Sequence, residues 1–389
     1  MKKFLIIFLA LSMLLGLCAC GKDEPEPNPI LRIGVFEPFS GVDSAMGLKE
    51  VVGIQYAHSL QPSVKIGSKT YDIELVYADN ASSPAQAAEV AANLLEQDVS
   101  IVIGSYGSSV SLAAAPVFEK AGITAIAASA TAPSITEDYD CYYRVCIQDN
   151  LQGAGLARFI SDELELKRVL CLGLMDSEYE QGLMEGFSKA AEELGLEVQK
   201  TNFSENTGDF TYFLSSVAEQ KIDIVFAPCP PRHGKLIVEA MSALEEPIPV
   251  LGADTWDCDD MRDAAVGKNF RIYTSTFYAE GYNTSFEGKF KEWIKSDEAA
   301  FANNGATDQL AAVTVMGYDA YNLALAAISK SGSAHHADIL AVMPTVGSSG
   351  VAGVINLDDT GDAIRSSIFI KRADTETPLW KYVKSQKVR

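Results

Sequence analysis

Serine and glycine residues follow a short apolar stretch in the segment IVIGSYGSSVSLAAAP, residues 101–116. The apolar run up to Gly104 is typical of a buried β-strand, and the alanine-rich part after the serines is typical of a helix. Backbone N–H groups at the start of a helix attract an anion, and serine hydroxyls can add hydrogen bonds to it. The segment therefore predicts an anion site. The residues alone leave open whether that anion is a phosphate or a carboxylate.

Common catalytic motifs are missing from the full sequence. GxSxG, GxxxxGK[ST], HExxH and a GxGxxG that opens a helix after a strand do not occur. Carboxylates that could act as acid–base pairs do gather near predicted strand ends, namely Asp176, Glu178, Asp254, Asp257, Asp259 and Asp260. Their positions are better explained by solvated turns, in which one carboxylate contacts a ligand, than by acid–base pairs. The sequence favours a binding protein that is not an enzyme and needs no cofactor.

The cysteine and histidine spacing fits neither a zinc site nor a disulfide framework. Five cysteines follow Cys20, namely Cys141, Cys146, Cys171, Cys229 and Cys258. Cys146 and Cys171 lie in apolar, strand-like contexts and are predicted to be buried thiols, although Cys141 and Cys146 could instead pair. His335 and His336 lie in a Ser/Gly/Ala-rich stretch, which predicts solvated surface. We expect no metal site.

The elements that must position these residues alternate between apolar β-like runs and amphipathic helical runs from residue 31 to residue 330. This βαβ rhythm predicts parallel sheets covered by helices on both faces. The rhythm restarts near residues 142–150, which predicts two similar α/β halves. The tail from Gly350 onward carries the signal of a β-hairpin.

Ligands in open parallel sheets bind beyond the carboxyl ends of the strands. Five groups of residues follow predicted strands or begin the helices after them, and so mark candidate ligand edges: 105–111, 129–133, Tyr179, 229–232 and 254–256. Two lobes with such edges facing each other would enclose a cleft.

Length and charge narrow the class of protein further. The chain has 389 residues, which favours two domains, and 48% of them are hydrophobic, enough for two cores. The formal net charge is −21. Binding of nucleic acid needs clusters of Lys and Arg, and the sequence has none, so we expect no nucleic-acid partner.

The first residues have the form of an export signal. MKK is a positive n-region, FLIIFLALSMLLGL is an apolar h-region, and LCAC resembles the bacterial lipobox, with Ala19 as the small residue before Cys20. We expect a signal peptide at 1–19, a lipid anchor on Cys20 and a Pro-rich tether over 20–29. An uncut membrane anchor and a plain secretory signal are the alternatives.

Over about residues 30–380 the chain resembles the leucine/isoleucine/valine-binding kind of bacterial periplasmic solute-binding protein, which serves ABC importers. The segments that carry this resemblance are IGVFEPFSGVDSAMG, VYADNASSPAQAAEVAANLL, VIGSYGSSVSLAAAPVFEKAGI, SATAPSIT, YYRVCIQDNLQG, YEQGL, GADTWD and GYDAYNLA. Each segment is weak alone, but their order and spacing are specific. The resemblance implies a type I periplasmic binding fold, an α/β fold of two Rossmann-like lobes with parallel sheets joined by a three-strand hinge.

The resemblance also answers the question of the anion, because members of this family hold the α-carboxylate of an amino acid at the first lobe. The matching positions are Ser108, Ser129 and Thr131, although Ser108 could instead be a simple helix N-cap. The α-ammonium would meet Asp254 from the second lobe. Candidate wall residues are Tyr179, Trp256, Tyr106 and Phe277, with a core position as the alternative for Trp256.

Two departures from the family pattern concern the wall of the cleft. Met46 stands where the branched-chain type often carries an aromatic residue, and Pro230 stands where a second cleft tyrosine is expected. Arg232 could add a positive charge near the ligand's side chain. The sequence therefore supports an amino acid as the ligand, but it supports a branched-chain aliphatic amino acid less well. A ligand that is not an amino acid remains an alternative.

The family implies lobes of residues 30–147 plus 276–355 and 148–275 plus 356–389, with chain crossings near 147, 275 and 356. It implies a monomer that closes over its ligand and works with ABC permease and ATPase subunits at the outer side of the cell membrane. A sensory lipoprotein of the same fold is the first alternative. An enzyme and a purely structural surface protein come after it.

Overall fold

A computed structural model describes residues 27–389. The predicted signal peptide and Cys20 therefore lie outside the described residues, as does most of the tether. Within residues 27–389, no helix combines the length and the hydrophobicity needed to cross a bilayer.

The first lobe is built on a six-stranded sheet with the order β2-β3-β1-β4-β5-β6. Only β2 runs antiparallel to its neighbour. Its strands are β1 Ile30–Glu37, β2 Ser63–Ile66, β3 Lys69–Asp79, β4 Ile101–Ile103, β5 Ala125–Ala127 and β6 Tyr142–Arg144. The central strands are buried on both faces, which explains their continuous apolar runs.

Helices cover both faces of this sheet. Those between its strands are α1 Ser44–Leu60, α2 Pro84–Leu95, α3 Ser108–Ala121 and α4 Ser134–Glu137. Ser83 precedes α2 as its N-cap and Pro84 opens the helix, a position where the missing proline N–H costs nothing.

The chain returns to the first lobe after a strand of the second lobe, Ile272–Thr276, and before the last two strands of that lobe. The returning elements are α10 Thr284–Ile294, α11 Glu298–Asn303, α12 Ala312–Ser331, α13 His336–Val342, a 3-10 turn Met343–Thr345 and the hairpin β12 Gly347–Gly350 with β13 Gly353–Asn356. α12 packs against α1. A Cβ on Gly53 would lie 1.9 Å from the carbonyl oxygen of Thr314, so only glycine permits this approach of the two helices.

The second lobe contains a seven-stranded sheet with the order β15-β14-β11-β10-β9-β7-β8. Its strands are β7 Arg168–Leu174, β8 Glu197–Phe203, β9 Ile224–Phe226, β10 Val250–Leu251, β11 Ile272–Thr276, β14 Ser367–Ala373 and β15 Trp380–Lys387. The predicted tail hairpin thus occurs as two antiparallel pairs, β12–β13 in a small sheet of its own and β14–β15 at the edge of this sheet.

Short helices complete the second lobe. They are α5 Asp149–Arg158, which continues as a π-helical turn Phe159–Glu163, then α6 Glu178–Glu193, α7 Thr211–Leu214, α8 Pro231–Ser242, a 3-10 turn Asp254–Trp256 and α9 Asp259–Ala265. Parallel sheets with helices on both faces and two lobes confirm the predicted fold class. The boundary residues assigned to the lobes stay a prediction.

A buried ion pair ties two of the segments that join the lobes. The Arg144 Nε and the Asp362 Oδ1 lie 2.6 Å apart, and both side chains are almost fully buried. Arg144 also donates to the carbonyl oxygen of Ala132 at 2.9 Å and to the Thr136 Oγ1 at 2.7 Å. Removing one partner of such a pair would leave an uncompensated buried charge, so the pair fixes how the segments meet.

Candidate functional site

A cavity of about 470 Å³ lies between the lobes, at the carboxyl ends of the parallel strands. Its volume is typical of a site for a small organic molecule. The lining residues are Val42, Asp43, Ser82, Pro84, Tyr106, Gly107, Ser108, Ser109, Val110, Ser129, Thr131, Leu174, Asp176, Ser177, Tyr179, Glu180, Glu205, Pro230, Pro231, Arg232, Asp254 and Thr255. All five predicted ligand edges contribute to this lining.

Ser108 stands on the first-lobe wall at the first turn of α3. Gly107 is the N-cap of this helix, so the alternative of Ser108 as a simple cap is wrong. The Ser108 Oγ instead accepts hydrogen bonds of 3.3 Å from the backbone N–H groups of Thr131 and Ala132. These bonds join the start of α3 to the loop after β5. They occupy the acceptor side of the hydroxyl and leave its proton available to a ligand.

Thr131 brings a second hydroxyl to the same wall. The residue is 1% exposed, and its Oγ1 has no hydrogen-bond partner among residues 27–389. A buried hydroxyl without a partner costs free energy, and a ligand oxygen in the cavity would remove that cost. The first N–H groups of α3 also lack acceptors within the helix. This wall is therefore rich in donors and suits a carboxylate.

Ser129 lines the cavity, but its hydroxyl donates to a carboxyl oxygen of Glu50. The backbone of Ser129 is thus the part left for a ligand. Glu50 lies beside Glu37, and both are fully buried. Burial raises the pKa of Glu50 to about 7, although hydrogen bonds from Glu37 and Ser129 oppose the shift.

The same buried carboxyl pair also supports the loop that carries Tyr106. The Glu37 Oε2 accepts the Tyr106 N–H at 2.7 Å. Burial and the neighbouring Glu50 carboxyl raise the pKa of Glu37 well above its ordinary value. Two neighbouring buried carboxyls resist being ionised together, because their like charges repel each other in a medium of low dielectric constant. Sequence reasoning missed this pair, whose members lie 13 positions apart on β1 and α1.

Asp254 stands on the second-lobe wall, in the 3-10 turn after β10. Its Oδ1 accepts hydrogen bonds from the Tyr179 hydroxyl at 2.8 Å and from the Gln152 Nε2 at 2.7 Å. The Ser275 Oγ donates to the Gln152 Oε1 at 2.9 Å and so fixes the orientation of the amide. Burial raises the pKa of Asp254 to about 6, against the lowering effect of the Tyr179 and Gln152 bonds. The oriented carboxylate suits an ammonium group.

Trp256 and Phe277 do not form the predicted aromatic wall. Trp256 is fully buried in the core of the second lobe, and its Nε1 donates to the Cys229 carbonyl oxygen at 2.7 Å. A Cβ on Gly252 would lie 2.1 Å from the indole ring, which shows how closely the core packs around it. Phe277 lines a separate cavity of about 260 Å³ beside Cys146 and Arg365. The core alternative for Trp256 is the one the structure supports.

Met46 also lies away from the cavity lining. It packs against the hydrophobic core of the second lobe, although it belongs to α1 of the first lobe. One turn further along α1, the Lys49 Nζ lies 2.9 Å from the Asp259 Oδ2 of α9. The prediction that the apolar side chain of Met46 contacts the ligand is therefore wrong. Met46 instead forms a contact between the lobes.

The lobes touch at a further place near the cavity. A Cβ placed on Gly182 of α6 would lie 3.1 Å from the Pro133 side chain of the first lobe and 3.2 Å from the Asp149 side chain. Asp149 is fully buried, and neither of its carboxylate oxygens has a hydrogen-bond partner among residues 27–389. Burial and the nearby Asp254 raise the pKa of Asp149 well above its ordinary value, although the Thr131 side chain and the charge of Arg144 oppose the shift.

The cysteines take no part in the cavity lining. All five cysteines within residues 27–389 are free and buried, so the pairing of Cys141 with Cys146 does not occur. Burial raises the pKa of the Cys171 thiol to about 12, which makes it a poor nucleophile.

Comparisons with known proteins show which family the chain resembles. A periplasmic binding protein family model matches residues 30–376. An amino acid binding protein of Pseudomonas aeruginosa PAO1 is 30% identical over 237 residues, which span 60% of this chain and 61% of that protein. The Leu/Ile/Val-binding protein BraC3 of Rhizobium johnstonii is 24% identical over 356 residues, 88% of this chain and 91% of its own.

Solved structures show the same architecture. A leucine-binding protein LivK of Thermotoga maritima superposes with a TM-score of 0.81 at 28% identity, covering 92% of this chain and 99% of that chain. A solute-binding protein of an ABC transporter from R. palustris, in complex with benzoate, gives 0.75 at 20% identity, covering 92% and 96%. The second likeness is one of fold alone. Because the family model spans nearly the whole described chain, this protein belongs to the periplasmic binding protein family.

Proposed function

We propose that this protein is the substrate-binding component of an ABC importer and that it holds an amino acid between its lobes. The observation that carries the proposal is the pairing of two unlike walls around one cavity. A donor-rich wall with Ser108 and Thr131 faces a wall that presents the oriented carboxylate of Asp254. An amino acid zwitterion carries one negative and one positive group and needs both kinds of wall.

Each end of the ligand then has its own partner. The ligand carboxylate accepts hydrogen bonds from the hydroxyls of Ser108 and Thr131 and from the first N–H groups of α3. The ligand ammonium donates to Asp254, which Tyr179 holds in place. Tyr106 and the backbone of Ser129 complete the first-lobe wall.

Closure follows from the division of the site between the lobes. A ligand that contacts both walls binds the closed arrangement more tightly than the open one and shifts the population towards it by that difference. The closed shape is what a membrane permease would recognise. We further propose export by residues 1–19, a lipid anchor on Cys20 at the outer side of the membrane, action as a monomer, and no catalytic activity.

The first test is a thermal-shift screen of the purified protein after unfolding and refolding to remove bound ligand. The panel contains L-amino acids, benzoate and hydroxybenzoates, polyamines and sugars. A ligand at about a hundred times its Kd stabilises a protein by roughly 2.7 kcal/mol, a shift that is easily measured. We expect stabilisation by a group of L-amino acids and its loss in Asp254→Ala.

An aromatic acid is the competing ligand class, since structures of similar fold bind benzoates. Such a ligand would use the donor-rich wall and leave Asp254 without a counter-charge. If benzoate stabilises the protein and still does so in Asp254→Ala, the ligand is an aromatic acid and not an amino acid. An absence of any shift with every amino acid would overturn the proposal.

A further inference from the structure

The cavity carries more carboxyl groups than one ligand ammonium requires. Its lining includes the carboxylates Asp43, Asp176, Glu180, Glu205 and Asp254, whereas the one cationic side chain in the lining, among residues 27–389, is Arg232. Asp254 suffices for an α-ammonium. The proposed recognition of a zwitterion does not use the other four carboxylates. These four come from both lobes.

Arg232 neutralises only one of these four carboxylates, because it pairs with Glu205. The Arg232 NH2 nitrogen lies 2.6 Å from the Glu205 Oε1 and 2.7 Å from the Oε2. Both side chains are considerably exposed, at 41% and 57%, so the pair lies towards the open side of the cavity. The predicted role of Arg232 as a positive charge facing the ligand therefore loses its support.

Glu180 is the buried carboxyl group of this lining that forms no ion pair within residues 27–389. It is 1% exposed, lines the cavity from the first turn of α6, and its Oε2 has no hydrogen-bond partner among residues 27–389. Burial raises the pKa of Glu180 to about 8, although a hydrogen bond from its own backbone N–H and the charge of Arg232 oppose the shift. An ionised carboxylate buried without a partner is costly, and a cation in the adjoining cavity would remove that cost.

We propose that the site selects an amino acid whose side chain ends in a cation, an ammonium or a guanidinium, and that Glu180 is the counter-charge for this group. The proposal rests on the proposed function, because Ser108, Thr131 and Asp254 hold the α-carboxylate and α-ammonium. Asp43 and Asp176 add to the negative potential around the side chain of the ligand. Selection follows because a neutral side chain would leave Glu180 buried without a partner.

A structural role for Glu180 makes a different prediction. A protonated Glu180 that merely fills space near the start of α6 would keep its proton when ligand binds. A ligand cation, in contrast, stabilises the ionised form and expels the proton at neutral pH. Proton release on binding therefore separates a counter-charge from a space-filling acid.

The experiment is isothermal titration calorimetry of the refolded protein with L-lysine, L-arginine and L-norleucine. Norleucine has the same straight carbon chain as lysine without the terminal ammonium. The variants are Glu180→Gln and, as a matched control, Glu178→Gln, which removes an exposed carboxylate from the same helical turn outside the cavity lining. Melting temperatures check that both variants fold. Titration in buffers of different ionisation enthalpy at pH 7 counts the protons released.

We expect lysine or arginine to bind the native protein at least roughly tenfold more tightly than norleucine, because hydrogen bonds to charged groups are worth about 1.5–3 kcal/mol. Glu180→Gln should remove most of this preference and the proton release that accompanies lysine binding. Glu178→Gln should retain both.

Two outcomes separate failure of this inference from failure of the proposed function. Equal or tighter binding of norleucine, or a lysine preference that survives Glu180→Gln, overturns the role of Glu180 and leaves an amino acid receptor in place. Absence of binding by all three amino acids, together with a negative amino acid screen, overturns the proposed function and this inference with it.

Discussion

The hydroxyl of Tyr179 donates a 2.8 Å hydrogen bond to the Oδ1 of Asp254. The two residues come from separate elements of the second lobe, the first turn of α6 and the 3-10 turn after β10. The bond fixes the carboxylate at the cavity wall before any ligand binds. Such pre-organisation lowers the entropic cost of recognising an ammonium group.

Tyr179→Phe tests this arrangement. The change removes the hydroxyl and keeps the ring, so the fold should persist while the Asp254 carboxylate loses one of its two side-chain donors. We expect the affinity for the best amino acid ligand to fall roughly tenfold, the value of a hydrogen bond to a charged group. Calorimetric titration measures it. Tyr212→Phe is the control because Tyr212 is 84% exposed, and equal affinities for the two variants would contradict the expectation.

Thr131→Val tests whether the unpartnered hydroxyl serves the ligand. The Thr131 Oγ1 is buried at the cavity without a hydrogen-bond partner among residues 27–389, so its loss should leave the stability of the ligand-free protein unchanged or slightly raised. Ligand affinity should fall by about fivefold to tenfold.

Thr124→Val provides a matched control for this change. The Thr124 Oγ1 is likewise buried and unpartnered among the described residues, but Thr124 does not line the cavity. Urea unfolding and titration calorimetry of both variants give the comparison. A loss of affinity in both variants, or in neither, would show that the Thr131 hydroxyl has no special role.

The buried carboxyl pair predicts an unusual dependence of stability on pH. Burial raises the pKa of Glu50 to about 7, so the folded state holds a proton that the unfolded chain releases near its ordinary pKa of 4.5. The stabilising contribution of this proton is complete below pH 4.5 and is lost as the pH rises through about 7. Between about pH 5 and pH 8, the free energy of unfolding should fall by about 2 kcal/mol through this residue.

Glu50→Gln isolates that contribution, because the amide stays neutral at every pH. Urea unfolding at several pH values should give the variant a shallower decline than the native protein. Parallel curves for the two proteins would show that Glu50 titrates normally.

Asp254 predicts how ligand binding depends on pH. Its pKa is raised to about 6 in the ligand-free protein, and only the ionised form pairs with an ammonium. Affinity for the amino acid should therefore weaken by about tenfold for each pH unit below about 6. Titrations between about pH 5 and pH 8 measure the slope. An affinity that is constant across this range would assign the ammonium to another group.

The ion pair between Lys49 and Asp259 predicts an effect on lobe closure. It joins α1 of the first lobe to α9 of the second, and the Lys49 side chain is only 9% exposed. Lys49→Met should favour the open arrangement and weaken ligand binding by about fivefold, equivalent to about 1 kcal/mol. Small-angle scattering of the ligand-free protein should show a larger radius of gyration. Lys235→Met is the control, because the Lys235–Asp260 pair lies within the second lobe, and identical effects would exclude a role in closure.

Much of the site could be predicted from the sequence. Ser108, Thr131, Tyr179 and Asp254 lie in loops or first helical turns near the ends of parallel strands, and all four line one cavity. The order of elements along the chain brings such positions to one edge of each sheet, whatever the packing details. The sequence did not decide whether Trp256 lies beside the ligand or in the core, because an aromatic residue after a strand suits both positions.

The residues that the sequence misplaced depend on contacts between distant segments. Met46 faces the second lobe, and on the same helix Lys49 pairs with Asp259, 210 positions further along the chain. The spacing within α1 carries no information about that partner. Phe277, a candidate for the wall of the cleft, lies at a different cavity.

The sequence by itself determined two α/β lobes, their alternation of strands and helices, and the polar residues at the strand ends, because local periodicity and chain order express these features. Only the tertiary structure decided which charges are buried. Glu180 in the first turn of a helix has the pattern of an ordinary solvated carboxylate, yet the folded protein leaves it only 1% exposed. Burial depends on how many distant segments surround a side chain, and no short stretch of sequence encodes that number.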